Sequence, residues 1–299
     1  VKLLVTGASG LLGTRICQLS VGHNNEVYSA YSQHLPQSET PIKLDITDGT
    51  ALKQLFEKTK PDVVVHSAAL TDVDKCEKER DLAWKINVES TSNIAQLCHK
   101  HNCFLVYIST DYVFNGEKGN YRETEQTAPI NNYGLTKLKG EEEIKKSKAE
   151  YCIARTSVIY GSNPAAGKIN FALWLLEKLR KKEEAKTVID QWNSPTFNTN
   201  LAEMVLEILE RRITGTFHLA GATRLTRHEF AQKIAETFNL DQNLLRPTSS
   251  EKMPWIAKRP RDTSLSVEKA KQTLKNKPLQ ISEALSRLKI EMSQSLVKT

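Results

Sequence analysis

No stretch of this sequence approaches the roughly 18 consecutive apolar residues that a membrane-crossing helix needs. Nor does it open on a basic, apolar, small-residue leader. The first residues enter a strand pattern directly, which predicts a cytoplasmic protein without a membrane partner. Cysteine is scarce: Cys17, Cys76, Cys98, Cys103 and Cys152 lack any CxxC spacing, arguing for reduced thiols over a disulfide framework or a zinc site. No His, Asp and Glu cluster has ligand spacing, so no metal is assigned. Zinc-finger, helix-turn-helix and aromatic-basic patterns are absent, which leaves nucleic acid unsupported as a partner. Glycine and proline number 13 and 10 in 299 residues, and 39% of the chain is hydrophobic, so the composition is globular rather than fibrous or disordered.

The formal charge of +7 suits an anionic partner. Its basic runs, KKSK (145 to 148) and LRKK (179 to 182), fall on expected solvated helix faces, so a phosphorylated small molecule is the better-supported anion.

Short β-branched runs alternate with longer amphipathic ones. Strands are predicted at Lys2 to Thr6, Glu26 to Ala30, Pro41 to Leu44, Val63 to His66, Phe104 to Ser109 and Cys152 to Arg155, with helices between most of them. Continuous apolar strands such as VVVH and FLVYIS suit a sheet covered on both faces. The fold class is therefore α/β: a doubly wound parallel sheet of Rossmann type with a smaller α/β lobe. The cofactor domain is expected at 1 to 156 and 188 to 214, and the substrate lobe at 157 to 187 and 215 to 299.

The segment VTGASGLLG places Gly7, Gly10 and Gly13 after the first strand and at the start of a helix, where a dinucleotide pyrophosphate would lie against free amides. The second strand runs into SAYSQH (29 to 34) without the Asp or Glu that binds the 2′-hydroxyl of NAD. Ser32 or His34 could instead donate to a 2′-phosphate. NADPH is thus favoured, and the lack of an Arg leaves NADH open.

In YGLTK (133 to 137), Tyr133 and Lys137 stand one helical turn apart on one face. Alone, that spacing is common in solvated helices. Ketone reduction, however, needs a proton delivered to oxygen as alkoxide charge develops. Tyr133 is the candidate acid, with Lys137 expected to lower the phenol from its ordinary value of about 10. Thr110, at the end of the fifth strand, could hold the same oxygen.

The ordered set GASGLLG (7 to 13), LDITD (44 to 48), HSAALTDVDKCE (66 to 77), KINVEST (85 to 91), ISTDYVFNG (108 to 116), YGLTK, RTSVIYG (155 to 161), DQWNSPT (190 to 196) and AKRPRD (257 to 262) is similar to the extended short-chain dehydrogenases. More closely, it resembles the dTDP-4-dehydrorhamnose reductase family over nearly the whole chain. That resemblance implies Thr110, Tyr133 and Lys137 as the catalytic set. It implies cofactor contacts from Gly7, Gly10, Leu11, Leu12, Gly13, Ser32, Asp45, Ile46, Ala68, Ala69, Tyr133 and Lys137, with Asn87 on a helix beneath. For the substrate it implies Thr71, Val73, Asp74, Asp111, Tyr112, Gln191, Trp192 and Arg259.

Asp111 reads equally as a turn cap, and Trp192 equally as packing between lobes. The implied reaction is NADPH-dependent reduction of the 4-keto group of a nucleotide-activated deoxysugar, most closely dTDP-4-dehydrorhamnose to dTDP-rhamnose. Val158 departs from the family, which often carries Trp in this segment, so the sugar is left open. A dehydratase of this fold would need a second carboxylate directly after Asp111, where Tyr112 stands, and an epimerase is disfavoured by the missing acid after the second strand. The methionine adenosyltransferase regulatory β subunit resembles the same branch, so a partner-binding role with little turnover is the alternative. Monomer and homodimer are both compatible.

Overall fold

The computed structural model describes residues 1 to 299 except 22 to 24, 39, 164 to 167 and 298 to 299. Its framework is a seven-stranded sheet in which every pairing is parallel. The strands are β1 (Lys2–Thr6), β2 (Glu26–Tyr31), β3 (Pro41–Lys43), β4 (Val63–His66), β5 (Phe104–Thr110), β6 (Glu150–Thr156) and a seventh, Gly215–His218. Their order is 3-2-1-4-5-6 followed by Gly215–His218, the doubly wound order whose direction reverses between β1 and β4. Ligands in such sheets bind where the strands' carboxyl ends open at that reversal.

Period-two alternation sorts the strand side chains into two dry layers. Leu3, Val5, Val63, Val65, Phe104 and Val106 pack with Leu12, Ile16, Leu201 and Val205 on one face. Leu4, Val64, Leu105 and Tyr107 pack with Leu52, Phe56, Ile94 and Ile144 on the other. Both faces bury apolar residues, so the strands carry no polar stripe. A separate core joins Tyr160, Leu175, Phe197, Phe230, Ile234 and Leu285. One helix facing it, Arg227–Thr237, starts on a capping box between Thr226 and Glu229.

All six predicted strands are present, β1 and β4 with the predicted ends and the other four with an end shifted by one or two residues; β5 runs through Thr110, and β6 starts at Glu150 and ends at Thr156. The strand Gly215–His218 was not predicted. Its four residues, GTFH, lack an apolar run, and it exists because Thr216 and Phe217 pair with Ile153 and Ala154 of β6. The return segment expected at 188 to 214 therefore continues into the sheet through His218. Among the described residues, no helix is long and apolar enough to cross a membrane.

Candidate active site

At the end of β1, Gly7 adopts φ +71°, and a Cβ there would meet the Ala68 amide nitrogen at 2.7 Å. Glycine is required by both backbone conformation and close approach. A Cβ on Gly13 would lie 2.2 Å from the Gly7 carbonyl oxygen, so this glycine lets the helix Leu11–Ser20 fold back onto the turn. Gly10 caps that helix without a side-chain bond, and its first turn carries no acid. The amides of Leu11, Leu12 and Gly13 therefore present partial positive charge at the sheet's reversal point. This cradle fits a dinucleotide pyrophosphate.

The flanking residues fall where their strands end. Ser32 is exposed directly after β2. Asp45 and Ile46 follow β3, and Asp45 accepts both the amide and the hydroxyl of Thr47 at 2.9 Å, which holds its carboxyl below the usual range. Ala68 and Ala69 follow β4, where the Ala68 amide donates to Thr6 Oγ1 at 3.4 Å.

Below them, His66 lies between Thr6 Oγ1 (2.8 Å from Nδ1) and Thr91 Oγ1 (3.0 Å from Nε2). Thr91 donates its own proton to the Asn87 carbonyl, so His66 Nε2 must carry the hydrogen and Nδ1 accepts from Thr6. Burial pushes His66 down to about 3, and it stays neutral.

Asn87 sits in a π-helical turn, Lys85–Glu89, as placed beneath the site, but its amide is spent on the protein. Its Oδ1 accepts from Leu70 N at 2.8 Å, while Nδ2 donates to Leu70 O and Thr136 Oγ1, each at 3.1 Å. It clamps the loop after β4 to the helix Asn132–Lys146.

That helix carries Tyr133 and Lys137. It starts at Asn131, whose Oδ1 accepts from Gly134 N at 2.9 Å and whose Nδ2 donates to Lys258 O at 2.9 Å. A Cβ on Gly134 would lie 2.1 Å from the Tyr112 carbonyl oxygen. The missing side chain lets the first helical turn close on the short turn Asp111–Val113, bringing the Tyr133 ring edge-on to Tyr112 at 5.9 Å. The Thr110 side chain lies close enough to the Tyr133 hydroxyl to pull its pKa down in part. Lys137 is 2% exposed, and its Nζ lies 4.0 Å from the centroid of the Tyr107 ring.

Electrostatics here correct the expected tuning. Burial pushes the Tyr133 phenol up, and the surrounding Asp111, Cys76 and Tyr112 push the same way. Burial also lowers Lys137 to about 7, opposed by the carboxylate of Glu141. Desolvation outweighs the attraction expected between the two, so the resting tyrosine is firmly protonated.

Lys137 thereby sets a stability signature. Its folded pKa of about 7 lies below its ordinary 10.5, so between those values the unfolded chain binds more protons. Stability therefore rises with pH across that window. Lys137→Met is expected to flatten the rise, which is worth up to about 5 kcal/mol, in urea unfolding measured at intervals from neutral to alkaline pH.

The implied substrate residues divide into two groups. Tyr112, Gln191, Trp192 and Arg259 come together on one wall. Gln191 Nε2 lies 3.4 Å from Tyr112 Oη and 3.3 Å from Pro260 O, and Gln191 Oε1 accepts from Arg227 Nε at 3.0 Å. Trp192 has guanidinium groups from Arg224 and Arg261 at 4.8 and 5.7 Å from its ring centre. Thr71 is exposed, and Val73 opens the helix Val73–Lys78.

Asp74 and Asp111 are committed internally. Asp74 Oδ1 accepts from Ile256 N, Ala257 N and Arg259 Nη1 at 3.1, 2.9 and 2.9 Å, so two residues assigned to the substrate hold each other. Asp111 is 3% exposed and accepts three hydroxyls, from Thr110, Ser157 and Thr263. Arg224 and Arg227, which the sequence did not single out, border this wall through Trp192 and Gln191. Among the described residues, no group of three or more His, Cys, Asp or Glu is arranged to hold a metal ion.

The model of the RmlD substrate binding domain matches residues 1 to 293. The chain belongs to the RmlD family. Among its relatives is the probable low-salt glycan biosynthesis reductase Agl14 of Haloferax volcanii, 32% identical over 266 residues, covering 88% of this chain and 89% of that protein. The methionine adenosyltransferase 2 subunit beta of Pongo abelii is 31% identical over 276 residues, covering 90% and 81%. The crystal structure of dTDP-4-dehydrorhamnose reductase from Bacillus anthracis in complex with NADP superposes with a TM-score of 0.87 at 32% identity, covering 97% of this chain and 99% of that one.

Within this RmlD chain, Val158 has an unusual backbone. It adopts φ +33°, rare for a β-branched residue, while its carbonyl accepts the Thr196 amide at 3.1 Å.

Proposed function

We propose that this protein is an NADPH-dependent reductase of the 4-keto group of a nucleotide-activated deoxysugar, with dTDP-4-dehydrorhamnose as the favoured substrate and dTDP-rhamnose as product. The observation that carries the reading is the meeting of Thr110, Tyr133 and Lys137 beside the glycine cradle at the sheet's reversal point. The bound nicotinamide supplies the hydride. The residues of the chain do the rest.

Tyr133, protonated at rest, gives its phenolic proton to the ketone oxygen as negative charge develops there. Lys137, one turn on, stabilises the phenolate left behind, and the desolvated surroundings strengthen that attraction. The absence of an acid after β2 favours the 2′-phosphate of NADPH, with NADH as the alternative. Tyr112, Gln191, Trp192 and Arg259 form the wall for the nucleotide sugar, with planar guanidinium groups suited to its diphosphate.

A second reading, an NADP-binding regulatory subunit with little turnover, draws support from the likeness to the methionine adenosyltransferase subunit. NADPH oxidation followed by absorbance with dTDP-4-dehydro-6-deoxy-L-mannose separates the two. Stoichiometric NADPH loss is the expected result. Tight NADPH binding without turnover of this or related keto sugars would favour the regulatory reading.

A further inference from the structure

Asp111 stands where three parts of the chain meet behind the reacting groups. Its Oδ1 faces Thr110 Oγ1 at 3.0 Å, and its Oδ2 faces Ser157 Oγ at 2.7 Å and Thr263 Oγ1 at 2.5 Å. The first belongs to β5, the second to the stretch after β6, and the third to the segment beyond Asp262. A carboxylate only accepts, so each of these hydroxyls must donate. Burial pushes the Asp111 carboxyl up and the three donors oppose it.

A threonine hydroxyl has one proton, and that of Thr110 is committed to Asp111. Toward its other neighbours Thr110 can show only lone pairs. One receives the Tyr112 amide at 3.2 Å. We propose that Asp111 is a positioning residue: its carboxylate, anchored by Ser157 and Thr263, fixes the orientation of the Thr110 hydroxyl at the end of β5. The kinetic consequence rests on the reductase reading. Under it, Tyr133 supplies the proton to the alkoxide, while Asp111 keeps its charge and acts only through Thr110.

Asparagine tests this because it matches the carboxylate in shape but not in hydrogen-bond sense. In Asp111→Asn the amide oxygen must serve Ser157 and Thr263, which leaves the NH2 group facing Thr110 and reverses the Thr110 hydroxyl. We expect kcat to fall about 10- to 100-fold with KM for NADPH unchanged. In a Thr110→Val background the same substitution should lower kcat no further, since the group it acts through is gone. Equal losses in both backgrounds would overturn the proposal, because a purely structural role acts regardless of Thr110.

Thr263→Val, which strips a donor from the other carboxylate oxygen and leaves Thr110 in place, provides a variant that does not depend on the asparagine folding. It should lower stability while leaving kcat nearly unchanged, and a kcat loss matching that of Thr110→Val would also sink the idea. The Thr110 and Asp111 cycle is read in parallel by urea unfolding, which needs no turnover. Non-additive losses support the pairing and additive ones refute it, so failure here is distinguishable from failure of the reductase assignment.

Discussion

Tyr133→Phe is expected to lower kcat by about 10²- to 10⁴-fold, the usual scale for removing a positioned acid, with NADPH affinity nearly unchanged. The phenol is the group held in the protonated form beside the cleft, pushed up by burial and by Asp111, Cys76 and Tyr112. Phenylalanine keeps the edge-on packing with Tyr112, whose ring centre lies 5.9 Å away, so the loss isolates the hydroxyl. The measurement is steady-state NADPH oxidation alongside cofactor titration by fluorescence. A variant with half the wild-type kcat would remove Tyr133 from the proton-transfer step and direct attention to water or Thr110.

Glu141→Ala should cost about 3–5 kcal/mol, the range for breaking a buried ion pair by deleting one member. Glu141 is fully buried and Arg155 is 3% exposed. The guanidinium meets the carboxylate through two bonds, Nε to Oε1 at 2.9 Å and Nη2 to Oε2 at 2.7 Å, and Ser109 donates to Oε1 at 2.6 Å. Among the described residues Arg155 Nη1 has no hydrogen-bond partner, so an alanine at 141 would strand a buried charge that is already imperfectly satisfied.

A domain stable by about 5–15 kcal/mol loses much of its margin in that change. Glu141 lies one turn beyond Lys137, so the pair also ties the helix that carries Tyr133 to β5 and β6. Urea unfolding of Glu141→Ala beside the double replacement Glu141→Leu with Arg155→Met checks the cause. The double variant should recover most of the loss, because no charge is left unpaired. Equal destabilisation in both would mean that shape, not charge, governs the site.

Much of the site could be read before any contact was known, because its signals are local. Gly7 and Gly13 are demanded by a turn only a few residues long, and the structure shows the backbone approaches that require them. Tyr133 and Lys137 share a face through helical spacing alone. The strand Gly215–His218 was illegible because its sheet position is set by pairing with β6, not by its own composition. Asp74 is named for the substrate by resemblance alone, and only the fold brings the Arg259 guanidinium and the amides of Ile256 and Ala257 onto its carboxylate.

The sequence by itself determined the doubly wound sheet, the phosphate cradle and the Tyr–Lys pair, since each follows from periodicity or from spacing within a turn. Tertiary structure decided what those residues experience. Burial raises Tyr133 and lowers Lys137 against the expected tuning, Ser157 and Thr263 converge on Asp111 from distant segments, and Arg155 finds Glu141. Desolvation and long-range pairing depend on which chain segments exclude water together, and that is fixed only when the sheet, the helices and the C-terminal segment have packed.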